Sequence, residues 1–111
     1  MSLATFKDLC IDVNDPRPAS EWWARTLGLE LVGFDDSPDE FKLVGPTPGH
    51  TVWMNLVPER HEVKNRVHLD VWGASLEPFA GLRVINPPGT FRWTTFADPE
   101  DNEFCLLKRT A

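Results

Sequence analysis

The sequence has 111 residues, of which 41% are hydrophobic and 25% are charged, and its formal net charge at pH 7 is -6. This size and composition predict one soluble domain with a modest hydrophobic core. Acidic and basic residues are interspersed, which argues against a nucleic-acid partner, since that would need clustered Lys and Arg. No apolar run approaches the roughly 20 residues that cross a bilayer and no signal-peptide pattern is present, so we expect a cytoplasmic protein without a membrane partner. Cys10 and Cys105 are therefore expected to be free thiols.

The first half of the sequence predicts the element order βαβββ. In residues 6–13, apolar residues alternate with Asp8, Cys10 and Asp12, a pattern typical of a strand with one polar face. Asp15 and the prolines after it favour a helix start, and Gly28 favours the end of that helix. Three further strands are predicted in the segments LELVGF, EFKLVG and HTVWMNLVP, which are separated by turn sequences.

The second half predicts a shorter version of the same order. The segment NRVHLDVWG is predicted as a strand, with His68 in its middle and Asp70 on the same face. The next segment, ASLEPFAGLR, contains Pro78 and Gly81, which limit it to one or two helical turns. Further strands are predicted in LRVINPP, FRWTTFA and NEFCLLKR.

Two short repeats relate the halves to each other. CIDV at 10–13 corresponds to HLDV at 68–71, and MNLV at 54–57 corresponds to FCLL at 104–107. The paired segments start 44 positions apart in the first half and 36 in the second, and we expect the shortened helix to account for the difference. These patterns predict an α+β fold of two βαβββ modules, each with one sheet face under its helix and the other faces curved into a cup-like mixed sheet.

Three segments carry a resemblance to a known family: DPRPASEWWARTLGLEL, KNRVHLDV and FADPEDNEFCLL. With them, the chain resembles the vicinal oxygen chelate superfamily, in particular its glyoxalase-like and bleomycin-resistance-like group of small bacterial proteins. The resemblance covers nearly the whole chain. It implies a single glyoxalase-like domain over 1–111, with module one at about 5–58, a linker at about 59–64 and module two at about 65–109. It also allows a homodimer, because relatives are often dimers.

The closing hairpin departs from the family pattern at one position. The family normally has Gly where Asp101 stands, which implies a left-handed backbone conformation at this residue. Asp is among the least costly substitutes there, so we expect the turn to form.

The resemblance also implies where a metal site would lie. In metal-dependent members, the first and last strands of each half present His, Gln or Glu ligands to a divalent ion. The matching candidates, as alternatives and not all at once, are His68, Asp8 or Cys10, and Cys105 or Glu103, while the remaining position falls on Asn55, a poor ligand. This set is irregular. With its thiols it would suit Zn or Cu better than the Fe, Mn or Ni typical of the superfamily.

Five tryptophans and no tyrosines are present, and Trp53, Trp72 and Trp93 fall in predicted strands. Such indoles either belong to the core or line an apolar pocket for a small-molecule ligand. In a pocket, His68 and Asp70 would orient the polar atoms of the ligand, with Asn55 and Cys105 nearby. Without a pocket role, His68 is expected to hydrogen-bond to Asp70 or Asp12. The strand carboxylates are then expected to be solvated or to pair with Lys64 or Arg66.

Three functions are consistent with these patterns. The first is binding of a small organic molecule in an apolar, Trp-lined cup with a degenerate metal site. The second is a divalent-metal-dependent lyase, isomerase or dioxygenase, with His68 as a metal ligand and Glu103 as the catalytic group that moves a proton. The third is a structural or interaction role with the cup filled by side chains.

Overall fold

A computed structural model describes residues 2–109 of the chain, and these residues divide into two compact units. The first unit ends at Arg60 and the second begins at His61. Each contains a four-stranded mixed sheet, so the predicted α+β pair of βαβββ modules is confirmed. Among the described residues, no helix has the length and apolar character that a membrane span requires.

The first unit consists of one helix and four strands. The strands are β1 (Leu9–Val13), β2 (Glu30–Val32), β3 (Glu40–Val44) and β4 (Val52–Leu56), and α1 (Pro16–Leu27) connects the first two. The sheet order is β1-β4-β3-β2, with β1 parallel to β4 and the other pairs antiparallel. Two prolines lie in the first turn of α1, and Gly28 ends the helix in a left-handed conformation, as predicted.

One face of this sheet is covered by α1. The apolar side chains buried between sheet and helix include the following, all at most 7% exposed: Val13, Ala19, Trp23, Phe41, Leu43, Val52 and Met54. Alternation along β1 leaves Cys10 and Asp12 exposed on the other face. The polar face predicted for this strand is therefore present.

The second unit repeats this order without a full helix. Its strands are β5 (Leu69–Gly73), β6 (Val84–Asn86), β7 (Trp93–Ala97) and β8 (Glu103–Lys108), in the order β5-β8-β7-β6. The predicted helix is a single 3-10 turn, Glu77–Phe79. The first strand is shorter than predicted, so His68 precedes β5 and does not lie in the middle of a strand. The physical reason is that the Asn65 backbone N–H donates to a side chain, Glu103, and not to a neighbouring strand.

The strand register confirms the internal repeat. In the first unit Ile11 pairs with Met54, and in the second Leu69 pairs with Phe104. These are equivalent positions in the aligned segments CIDV/HLDV and MNLV/FCLL. The connection between β1 and β2 spans 14–29 and that between β5 and β6 spans 74–83, so most of the missing positions are lost with the helix, as predicted.

An aromatic cluster replaces the helix as the cover of the second sheet. Phe79, in the 3-10 turn, lies with its ring centroid 5.6 Å from Phe96 and 5.7 Å from Phe104. Phe96 and Phe104 are 3% and 0% exposed. This cluster buries one face of the sheet. On the opposite face Thr95 and Cys105 are also buried, whereas Trp72 and Trp93 are exposed.

The hairpin before β8 has the left-handed backbone conformation that the family resemblance implies at Asp101. Asp101 has a φ of 67°, and it is the one non-glycine residue with a positive φ among residues 2–109. A side chain with a Cβ atom is strained in this region, and glycine is not.

We therefore expect Asp101→Gly to be more stable than Asp101→Ala by about 1 kcal/mol in urea unfolding. The same pair of substitutions at Asp36, where φ is not positive, is the control, and there glycine should give no gain over alanine. Equal stabilities of the two Asp101 variants would show that the turn is not strained.

Candidate functional site

The face of the second sheet opposite the aromatic cluster carries two cross-strand rows of side chains. Register places Asp70 beside Cys105 and Cys105 beside Thr95. Two residues further along β5 and β8, the next row consists of Trp72, Leu107 and Trp93. Because side chains alternate along a strand, both rows point to the same side. We call this surface the open face, formed by Asp70, Trp72, Trp93, Thr95, Cys105 and Leu107.

The second row of the open face is apolar and exposed. Trp72 is 61% exposed and Trp93 is 36% exposed. Phe91 stacks on Trp93 with a centroid distance of 4.9 Å and an interplanar angle of 11°, and the Arg109 guanidinium lies 5.0 Å from the Trp72 ring centroid. Contiguous exposed apolar side chains mark ligand or partner surfaces more often than single exposed ones do. The row can therefore stack against a flat apolar molecule.

The first row contributes to a polar cluster at the start of β5. One donor atom from each of His68, Asp70 and Cys105 lies within 4.8 Å of the others, and this is the one such group of three among residues 2–109. His68 Nε2 and Asp70 Oδ1 are 3.2 Å apart, so Asp70, one of the two partners considered for His68, lies beside it. Cys105 is buried, while the other two side chains are exposed. We call these three residues the polar cluster.

Two residues that the sequence analysis did not single out support this cluster. Thr95 Oγ1 lies 3.3 Å from Cys105 Sγ, and Asn86 Nδ2 donates to Thr95 Oγ1 at 3.3 Å. The threonine oxygen accepts from Asn86, and either it or the sulfur can donate in the bond between them. This chain of hydrogen bonds fixes the orientation of the thiol. A threonine and an asparagine in short strands carry no sequence signal for such a role.

Glu103, the predicted catalytic group, contacts the segment before β5 and is not one of the three residues of the polar cluster. Its carboxylate is buried and accepts hydrogen bonds from Lys64 Nζ at 2.7 Å and from Asn65 N at 2.9 Å. Burial by itself raises the pKa of this carboxyl group, but the bonds from Lys64 and Asn65 outweigh burial and leave the pKa below its usual value. Glu103 therefore holds the segment before His68 in place. Its catalytic and metal-binding roles stay predictions.

The candidate residues of the first unit alternate with the side chains that face α1, and of them Cys10 is exposed while Asp8, Trp53 and Asn55 are half-buried. Asp8 accepts a hydrogen bond from Trp53 Nε1 at 2.9 Å and pairs with Lys7 at 2.7 Å, and the Lys7 bond is the main cause of its lowered pKa. Trp53 also stacks on Phe34 with a centroid distance of 5.8 Å. Its strand neighbour Cys10 is exposed.

Asn55, the remaining candidate, pairs in register with Asp12. Among the described residues of this unit, no three potential ligands come together as they do in the second. Whether Asp8, Cys10, Trp53 and Asn55 bind anything stays a prediction.

Comparison with known proteins assigns the fold. A family model described as a glyoxalase-like domain matches residues 8–107. Comparison with curated proteins gives no significant match.

Three solved structures illustrate the similarity. A possible glyoxalase from Bacillus cereus is 16% identical, with a TM-score of 0.68 over 93% of this chain and 97% of that one. A member of the glyoxalase/bleomycin resistance protein/dioxygenase superfamily from Sphaerobacter thermophilus is 23% identical, with a TM-score of 0.63 over 96% and 98%. The fosfomycin resistance protein FosX from Mesorhizobium loti is 16% identical, with a TM-score of 0.69 over 98% and 94%. At these identities the likeness concerns the fold alone.

Proposed function

The chain belongs to the glyoxalase-like family of the vicinal oxygen chelate superfamily, and on that premise we propose that the open face of its second module binds a small organic molecule. The observation that supports this function is the exposed Trp72–Leu107–Trp93 row directly beside the polar cluster. Ligand sites combine apolar area with a few placed polar groups in this way. The indoles would contact the flat part of the ligand, and His68 and Asp70 would bind its polar atoms.

The binding function predicts a loss of affinity when the indole of Trp72 is removed. We expect Trp72→Ala to weaken binding of an uncharged aromatic probe, naphthamide, about tenfold, because stacking and buried apolar area are both lost. Phe6→Ala is the matched control, since Phe6 is an aromatic side chain that is 76% exposed in the first unit. Affinities can be measured by titration calorimetry. Equal affinities of wild type and Trp72→Ala would remove Trp72 from the site.

A second candidate function is favoured by the donor set of the polar cluster. An imidazole, a carboxylate and a thiol within 4.8 Å of one another match the three protein ligands of a zinc site that keeps a fourth position open. The Thr95 bond to Cys105 would act as an outer contact that orients the sulfur. His68, Asp70 and Cys105 would therefore hold the ion, and the bound ion would supply a Lewis acid for a polar group of the ligand.

A further inference from the structure

A depression in the second unit lies next to the polar cluster and has a basic lining. Its volume is about 490 Å³, and the residues that line it are all in the segment before β5: Val63, Lys64, Asn65, Arg66 and His68. None of these side chains is acidic. Two of them, Lys64 and Arg66, are cationic.

The second unit is nearer to electrical neutrality than the first. The first unit contains ten acidic and five basic residues, whereas the second contains seven acidic and six basic residues. In the depression, Arg66 forms no ion pair with any residue between 2 and 109. Lys64 gives Glu103 a single hydrogen bond, and its side chain is 72% exposed. Both cations can therefore reach a bound anion.

The segment is also held in a fixed conformation. The buried Glu103 carboxylate binds Lys64 Nζ and Asn65 N, and Asn65 Oδ1 lies 2.5 Å from His61 Nε2. Asn65 Nδ2 donates to Asn102 Oδ1 at 3.4 Å. A depression whose walls are ordered before binding loses less conformational entropy when a ligand enters.

We infer that this depression binds an oxyanion, a carboxylate or a phosphate, that forms part of the small molecule bound on the open face. The guanidinium of Arg66 matches the planar geometry of such groups, and Lys64 adds a second charge. His68 joins the depression to the polar cluster, because its side chain belongs to both. The inference rests on the proposed function for the rest of the ligand. If an aromatic molecule binds on the open face and its acidic group binds in the depression, the ligand is an aromatic organic acid. The anion subsite itself can be tested alone.

The first experiment uses simple anions and isotope-labelled protein. Sodium phosphate and, separately, sodium acetate are titrated at constant ionic strength while the backbone amide signals of residues 63–68 are followed by NMR. We expect saturable shifts in the wild type and in Arg60→Gln, which removes the same charge from an exposed position in the first unit. Arg66→Gln should weaken binding at least about tenfold. The anion that binds more tightly identifies the preferred group. An absence of saturable shifts, or the same affinity in Arg66→Gln, would overturn the inference.

The second experiment separates this inference from the proposed function. Naphthoate carries the carboxylate that naphthamide lacks, and the two are otherwise similar in shape. We expect naphthoate to bind at least about tenfold more tightly to the wild type, with the ratio falling toward one in Arg66→Gln and unchanged in Arg60→Gln. If both probes bind equally in the wild type, the open face binds aromatic molecules but the anion subsite is wrong. If phosphate binds through Arg66 and neither aromatic probe binds, the subsite stands and the proposed function fails.

Discussion

Replacing Glu103 with alanine is expected to lower the free energy of unfolding at pH 7 by about 3 kcal/mol. The carboxylate is 7% exposed and accepts two hydrogen bonds, one from the Lys64 ammonium and one from the Asn65 backbone. The substitution removes both bonds and leaves the Asn65 N–H without its acceptor. Urea unfolding measures the difference, with Glu62→Ala, an exposed acidic residue of the same segment, as the control. The control should stay within about 0.5 kcal/mol of wild type. If Glu103→Ala also lowers the free energy of unfolding by less than about 0.5 kcal/mol, Glu103 does not hold the segment before β5 in place.

The same contacts predict a dependence of stability on pH. In the folded protein the pKa of Glu103 lies below its usual value of 4.5, so the folded state favours the ionised form. The stabilisation is therefore complete above pH 4.5 and is lost as the pH falls through the lower, folded-state pKa. We expect the stability difference between wild type and Glu103→Gln to shrink as the pH is lowered below 4.5. A constant difference across that range would mean that charge on Glu103 contributes nothing.

The second large effect concerns the polar cluster as a metal site. If His68, Asp70 and Cys105 hold Zn²⁺, Cys105→Ser is expected to weaken zinc binding at least about 100-fold. Loss of an outer contact alone typically costs 10- to 100-fold, and here a direct ligand is removed. Cys10→Ser is the matched control, because Cys10 is the other free cysteine and is exposed in the first unit. Zinc affinity is measured by competition with a chromogenic chelator.

The outcomes distinguish the two candidate functions. Tight zinc binding that survives Cys10→Ser and is lost in Cys105→Ser would support the metal site. If the wild type fails to compete with a chelator of micromolar affinity, or if both cysteine variants behave alike, the cluster is not a zinc site. His68 and Asp70 would then act only as polar contacts for the ligand.

Much of the fold could be predicted because it depends on local patterns that repeat. Alternation identifies most strands, the Gly28 signal identifies the end of α1, and the paired segments CIDV/HLDV place equivalent residues at equivalent register positions. The sequence predicts too early a start for β5, which begins at Leu69 in the structure. The apolar alternation of Val67, Leu69 and Val71 extends to a position before His68 and suggests a longer strand. A buried carboxylate 39 positions from Lys64 binds this segment instead. A contact at that separation leaves no trace in local sequence.

The site could be predicted only in part, for the same reason. The family resemblance placed His68 and Cys105 on the first and last strands of the second half, and the structure brings them together with Asp70. Asp70 was expected to be solvated or paired with Lys64 or Arg66, and it is exposed and lies beside His68. Lys64 pairs with Glu103 instead. The support from Thr95 and Asn86 depends on how β6 and β7 align, which composition does not encode.

The most direct test of the proposed function is an amide NMR titration of isotope-labelled wild-type protein with naphthamide. The proposed function predicts saturable shifts concentrated at 68–72, 93–95 and 105–107, the segments that carry the open face and the polar cluster. Saturable shifts confined to the first unit, or none at all, would contradict a small-molecule site on the second module.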